Sequence, residues 1–305
     1  MSKLKIISQK SEQSVKTEKK ILSKINHPFI VNMLFSFQDN DNLYLIMDLL
    51  PGGDLRYHIN HIKLSYFNEI QTKFLISNII IALEYIHNQK IIHRDIKPEN
   101  LLLDKNGYLH LTDFGIALIN DKNNSNIKET SGTEGYMAPE VILKQGHSYP
   151  ADFFAIGVIG YELMLGYRPY SGNNRKQIKN AILSYQAIIK FNKLKKGWSE
   201  NSRDFINKLL QRRPIKRLGY SGIKEIKNHI WLKDINWDLL KKKKIKAPYI
   251  PKEGKDYFDK KFCQEETTGE KYKHLIDINQ YKNIFENYTY VNLNYISKID
   301  NSNNI

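Results

Sequence analysis

Residues 91–115 read I-I-H-R-D-I-K-P-E-N-L-L-L-D-K-N-G-Y-L-H-L-T-D-F-G, and the rest of the chain is organised around them. Asp95 and Asp113 supply carboxylates, Asn100 a neutral oxygen and Lys97 a fixed cation. The apolar pattern places them on a loop–strand–turn–strand–loop, with the turn at Lys105–Asn106–Gly107. Such a set can hold Mg²⁺ against phosphate oxygens and orient an attacking hydroxyl, as a loose phosphoryl-transfer transition state requires. The plainer reading, two polar turns whose acids cap helices, leaves the spacing of all four groups unexplained.

Working outward, 305 residues with 41% hydrophobic and 11% aromatic content can bury a sizeable core as one large or two ordinary domains. No apolar run reaches the length of a membrane span, and Met1–Lys10 lacks the apolar stretch of a signal peptide. One cysteine, Cys263, excludes a disulfide framework and fits a reducing compartment, so a cytoplasmic or nuclear location is expected. Cys263 lies in the charged stretch K-K-F-C-Q-E-E and reads as a bystander. The net charge of +15 includes the runs Lys241–Lys244 and Lys193–Lys196. These read as solvated faces rather than a nucleic-acid surface, because no aromatic residues interleave them.

Along the chain, Ser11 is a candidate N-cap for a helix carrying Val15, Ile21, Leu22 and Ile25, ended by Asn26–His27–Pro28. The β-rich runs Ile30–Phe37 and Leu43–Leu50 flank the turn-rich residues 38–42 and predict a hairpin. Pro51–Gly52–Gly53 marks the expected lobe boundary. Beyond it, helices are predicted over Phe67–His87, Ala151–Leu165 (apolar almost all round), Arg175–Leu183, Ser202–Leu210 and Ile223–Ile230. From Asn236 on, the chain is Lys-, Asn- and Tyr-rich and is expected to be an extended tail.

The H-R-D and D-F-G segments at this spacing, with Lys97 and Asn100 between them, resemble the catalytic and magnesium loops of eukaryotic protein kinases. The resemblance implies an α+β, bilobal protein-kinase-like fold with a truncated small β lobe and a mainly helical large lobe. By that match residues 1–50 are the partial small lobe, 51–232 the large lobe and 233–305 a C-terminal tail. Asp95 would accept or orient the substrate hydroxyl proton, Lys97 would neutralise the γ-phosphate, and Asn100 and Asp113 would hold Mg²⁺. Glu140 of A-P-E would pair with Arg217, and Asp152 would bind the backbone of the catalytic loop. Lys97 together with Thr133 of G-T-E-G-Y resembles the Ser/Thr pattern, so ATP would phosphorylate Ser or Thr of a protein substrate.

Within kinases, residues 31–59 (V-N-M-L-F-S-F-Q-D-N-D-N-L-Y-L-I-M-D-L-L-P-G-G-D-L-R-Y-H-I) resemble the AGC group, and most of all the serine/threonine kinase 32 subfamily. This match implies Met47 as gatekeeper, Asp48–Leu50 as the adenine-binding hinge and Leu102 as the floor under the purine. Asp54, Glu99 and Glu162 match positions that read basic residues beside the phosphoacceptor, so basic substrates are expected. In the tail, F-E-N-Y-T-Y at Phe285–Tyr290 is similar to the AGC hydrophobic motif, with Thr289 as its phosphorylatable residue. Its two aromatics are expected to fill pockets beside the helix of Glu18.

The pattern breaks at the ATP clamp. None of the 16 glycines precedes Gly52, and the lysine partner of Glu18 has no counterpart here. The expected small lobe is therefore one helix with a two-strand ribbon. Two accounts follow: a longer active kinase of which Met1 is an internal residue, or a catalytically inactive chain acting as a scaffold. For regulation, the resemblance places Glu129 where many AGC kinases carry a phosphothreonine, and it is expected to meet Arg94; the alternative is that Glu129 is solvated and Thr130 is the switch.

Overall fold

The helices lie where apolar periodicity meets a polar start signal, and the strands where short apolar runs are bounded by turns. The computed structural model describes residues 1–62, 66–120, 130–146, 148–194, 196–252, 257 and 284–292. In chain order these form α1 (Lys3–Ser8), α2 (Glu12–Leu22), β1 (Met33–Gln38), β2 (Leu43–Met47), α3 (Leu55–His61), α4 (Glu69–Asn88) and β3 (Ile91–Ile92). Then follow β4 (Leu101–Leu103), β5 (Leu109–Leu111), β6 (Leu118–Ile119), α5 (Pro139–Ile142), α6 (Tyr149–Leu165) and α7 (Arg175–Ser184). The last are α8 (Glu200–Leu209), α9 (Ile223–Lys227), α10 (Trp237–Lys241) and β7 (Tyr290–Val291). They fall into two units, one of residues 1–27, 31–49 and the tail from 258, the other of residues 28–30 and 50–257.

The first unit is built on the β1–β2 hairpin, whose turn is fixed by Asp39 accepting from the backbone N–H groups of Asp41 and Asn42 at 2.8 and 2.6 Å. The expected two-strand ribbon is in fact a three-strand sheet, in the order β2-β1-β7. Ser36 pairs with Tyr290 and Phe35 with Val291, which satisfies an edge that a bare hairpin leaves open. Side chains lock the same join: Ser36 donates to the Tyr288 carbonyl at 2.7 Å and Gln38 to that of Phe285 at 2.9 Å. Beneath the sheet, Ile6, Val15, Leu43, Phe285 and Tyr288 form one buried cluster. Residues 3–8 are helical, with Leu4 and Ile6 buried and Ile6 part of this core. Ser11 precedes α2, but its hydroxyl donates to the Ile6 carbonyl at 3.2 Å instead of capping the helix.

In the second unit, α4 starts with a reciprocal capping box between Asn68 and Gln71. α6 is buried on every side, and its Gly157 lets α8 come close: a Cβ there would stand 2.9 Å from that of Leu209. β4 and β5 pair through the register Leu101↔Leu111 and Leu103↔Leu109, with Gly107 at φ +87° turning the chain between them. Ile30, expected in the first strand of the hairpin, instead bridges Leu111 beside the buried ring of Phe29, so residues 28–30 belong here.

The expected separate tail from residue 233 is also divided. Leu240 of α10 is fully buried, Lys243 pairs with Asp104 at 2.9 Å, and the Tyr249 hydroxyl meets His58 at 2.7 Å, which fastens this stretch to the helical unit. Residues 284–292 instead build the sheet of the first.

Glu140 at the start of α5 and Arg217 form a bidentate pair at 2.7 and 2.9 Å, with the arginine 1% exposed. Arg217 also donates to the carbonyls of Pro150 (2.7 Å), Gln211 (2.9 Å) and Arg212 (3.2 Å) and stacks on Phe154, so no donor is left for water. Removing one partner of a buried pair strands the other charge. Glu140→Ala should therefore lose about 3–5 kcal/mol in urea unfolding, and a loss under about 1 kcal/mol would show that the pair is not what holds this corner.

Candidate active site

The site is built from one buried carboxylate outward. Asp152, in the first turn of α6, is 1% exposed, and its two oxygens accept the backbone N–H groups of His93 (3.0 Å) and Arg94 (2.9 Å). His87 at the end of α4 adds a third bond, Nε2 to Oδ2 at 2.8 Å. Burial alone would raise the pKa of Asp152, but the His87 hydrogen bond and charge outweigh it and hold the group below the ordinary carboxylate range. An ionised acceptor thus holds the chain where Arg94 adopts a left-handed φ of +71°. Arg94 also donates through Nε to the Ile116 carbonyl. His93 spans the loop in the other direction, Nε2 to the Thr112 carbonyl at 3.0 Å, and stacks edge-on against the buried ring of Phe114.

With the loop so held, Asp95 turns its carboxylate into a ring of donors. Oδ1 accepts from the Thr133 N–H at 2.9 Å and its hydroxyl at 2.7 Å. Oδ2 accepts from Lys97 Nζ at 2.6 Å and from Asn100 Nδ2 at 3.2 Å. Lys97 Nζ also reaches the Thr133 hydroxyl at 2.9 Å, so Thr133 joins the acid and the cation. Charge-assisted bonds of this kind are about twice as strong as neutral ones and fix both rotamers.

Asn100 spends its amide N–H groups on Asp95, which orients its side-chain oxygen away from them. The Thr112 N–H donates to the Asn100 carbonyl at 3.0 Å and ties the two loops together. Asp113 follows at a left-handed φ of +64°, exposed, with one oxygen accepting from the Gly115 N–H at 3.2 Å. Asn100 and Asp113 thus supply two hard oxygen donors on loops joined through Thr112, a donor chemistry that fits Mg²⁺.

The other expected residues fall as follows. In the first unit, Met47 ends β2, and the Asp48 carboxylate accepts from the Asn32 N–H (3.0 Å) and side-chain amide (2.8 Å). Glu18 lies on α2, and its charge together with burial raises the pKa of the Tyr288 hydroxyl, burial being the larger cause. Thr289 is exposed beside the buried Tyr288. In the second unit, Leu50 is buried and Leu102 pairs with His110 across β4–β5. Asp54 caps α3, accepting from the Tyr57 N–H at 2.8 Å. Glu99 and Glu162 come together on Arg56, a residue with no role in the sequence reading. Glu129 lies outside the described residues.

Arg56, His87 and Tyr136 are the participants that the sequence did not reveal. Each has a partner more than 60 positions away (Glu162 for Arg56, Asp152 for His87, Arg56 for the Tyr136 hydroxyl), and D-L-R-Y carries no local signal of what its arginine meets.

A model of the protein kinase domain matches residues 1–232. The chain belongs to the protein kinase family. It is 42% identical over 246 residues to a probable serine/threonine-protein kinase of Dictyostelium discoideum, covering 81% of this chain and 52% of that protein. Human ribosomal protein S6 kinase alpha-6 is 38% identical over 269 residues (86% of this chain, 34% of that one). Human serine/threonine-protein kinase 32B is 36% identical over 271 residues (87% and 64%). The kinase chain thus spans from about a third to about two thirds of the length of these relatives, which fit the AGC group and the kinase 32 resemblance.

For this kinase, Thr133→Val keeps the backbone donor to Asp95 but deletes the hydroxyl between Asp95 and Lys97. A stability loss of about 1.5–3 kcal/mol in urea unfolding is expected, with Thr133→Ser close to wild type. Equal stability of Thr133→Val and wild type would contradict the bridging role.

Proposed function

We propose that this chain transfers the γ-phosphoryl group of ATP to serine or threonine hydroxyls of protein substrates. The observation that carries the reading is the Asp95–Lys97–Thr133–Asn100 cluster. There a carboxylate, a cation and an amide are locked together by hydrogen bonds within the chain. Pre-orientation matters because phosphoryl transfer asks the protein mainly for positioning and charge stabilisation.

In this account Asp95 receives the acceptor hydroxyl and orients its proton, and the hydroxyl displaces one of the donors now on the carboxylate. Lys97 faces the transferring phosphoryl and balances its charge. Asn100 and Asp113 would hold Mg²⁺, which when bound neutralises phosphate charge. Met47, Asp48, Leu50, Asp54 and Leu102 are assigned to the nucleotide by resemblance, Thr289 and Arg94 to regulation, and the location is cytoplasmic or nuclear. Basic residues beside the acceptor would be read through Glu99, the more exposed of the paired acids at 44%.

The alternative reading is a scaffold that binds partners without turnover. A radiolabelled-phosphate transfer assay on Ser/Thr peptides with MgATP separates the two. The proposed function expects incorporation that falls about 10²–10⁴-fold in Asp95→Asn, the usual range for loss of a general base. Incorporation unchanged in Asp95→Asn removes the assignment, and none in the wild-type chain favours the scaffold.

A further inference from the structure

Arg56 sits in the first turn of α3 and is 21% exposed. Its guanidinium reaches three groups from three other parts of the chain. Nε donates to Glu99 Oε1 at 2.9 Å. NH1 and NH2 fork onto the two oxygens of Glu162 in α6, at 2.8 and 3.2 Å, and NH2 also meets the Tyr136 hydroxyl. Tyr136 in turn donates to Glu162 Oε2 at 2.6 Å. Burial alone would lower the pKa of the guanidinium, but the bond to Glu162 outweighs it and holds the charge firmly on. The planar fork satisfies both acids as no ammonium could.

Beside this cluster opens a pocket of about 470 Å³ lined by Arg56, Glu99, Glu162, Tyr167, Arg168 and Ser171. Glu99 is four positions from Asp95 on the same loop, so an extended peptide with its hydroxyl at Asp95 needs only a few residues to reach the pocket. Two bare carboxylates there would select an arginine side chain on that peptide. They are not bare. Arg56 and Arg168 together cancel the formal charge of Glu99 and Glu162. Glu162 is 6% exposed and cannot be given up cheaply, since an unpaired buried carboxylate is costly. Of these two acids, what remains for a substrate is the outward oxygen of Glu99, and exposed pairs of that kind contribute little; Asp54 has one oxygen engaged in capping α3 at the Tyr57 N–H.

We propose that Arg56 is a specificity-determining residue, a built-in arginine that occupies the Glu99–Glu162 acids and so keeps selection for basic flanking residues weak. The proposal rests on the kinase reading, because it takes the pocket as the place where residues beside the acceptor lie. Its test reads binding alone, so a failure to transfer phosphate and a failure of this proposal are distinguishable.

The probes are fluorescent peptides with alanine in place of the acceptor, carrying arginine or glutamine at each of the five preceding positions. Fluorescence anisotropy on the full chain measures Kd for each. Wild type should prefer arginine over glutamine by less than about threefold at every position, the size of an exposed ion pair. Arg56→Gln should raise the preference to about tenfold or more at one position, and adding Glu99→Gln should abolish that gain. If Arg56→Gln does not fold, Arg56→Lys serves: it keeps the charge but not the fork, and its preference should exceed that of wild type. A wild-type preference above tenfold overturns the proposal, as does a folded Arg56 variant whose preference matches wild type.

Discussion

The carboxylate of Asp152 is the constraint on which the rest of the site depends. It is charged, buried and filled by three donors, two of them the backbone N–H groups that open the catalytic loop. A charge in that position is tolerable only while those bonds persist, so the loop is held in shape by the cost of releasing it. Arg94 then bends into a left-handed conformation, Asp95 faces Thr133, Lys97 and Asn100, and Thr112 carries the tie across to Asp113. A stiff buried helix, α6, is what gives Asp152 a fixed position from which to act.

Within the first unit a different economy holds. A hairpin and two short helices bury little surface by themselves, and isolated two-stranded ribbons are marginal in water. The tail segment makes up the deficit twice over, adding a strand to β1 and two aromatic rings to the core. Phe285 and Tyr288 are each 3% exposed although they sit in a stretch of polar composition. The segment that resembles a regulatory motif is therefore also a structural part of its unit.

Much of this was legible from local pattern. The long apolar periodicity of α4 and α6 announced buried helices, and Lys105–Asn106–Gly107 announced the turn between β4 and β5. The boundaries moved by a residue or two because caps decide them: Asn68 rather than Phe67 starts α4, through a bond that periodicity does not encode. The third strand was not legible, since Tyr290 and Val291 have no local reason to pair with Phe35 and Ser36. Nor was Arg56. The sequence singled out Glu99 and Glu162 as acids awaiting a substrate cation, but their partner is internal and lies 43 and 106 positions away. Local patterns report elements, whereas neutralisation of a charge is settled by packing between distant segments.

Amide hydrogen exchange at His93 and Arg94 tests the dependence on Asp152 most directly. In the wild-type chain both N–H groups should exchange slowly, as donors to a buried carboxylate. In Asp152→Asn one acceptor becomes an NH₂ group, and at least one of the two amides should exchange about tenfold faster or more, the equivalent of one lost hydrogen bond of about 1.4 kcal/mol. Amides inside α6, at Ile156 and Ile159, should keep their protection. Unchanged exchange at both His93 and Arg94 in a folded Asp152→Asn chain would contradict the account, since the loop would then hold its shape without that charge.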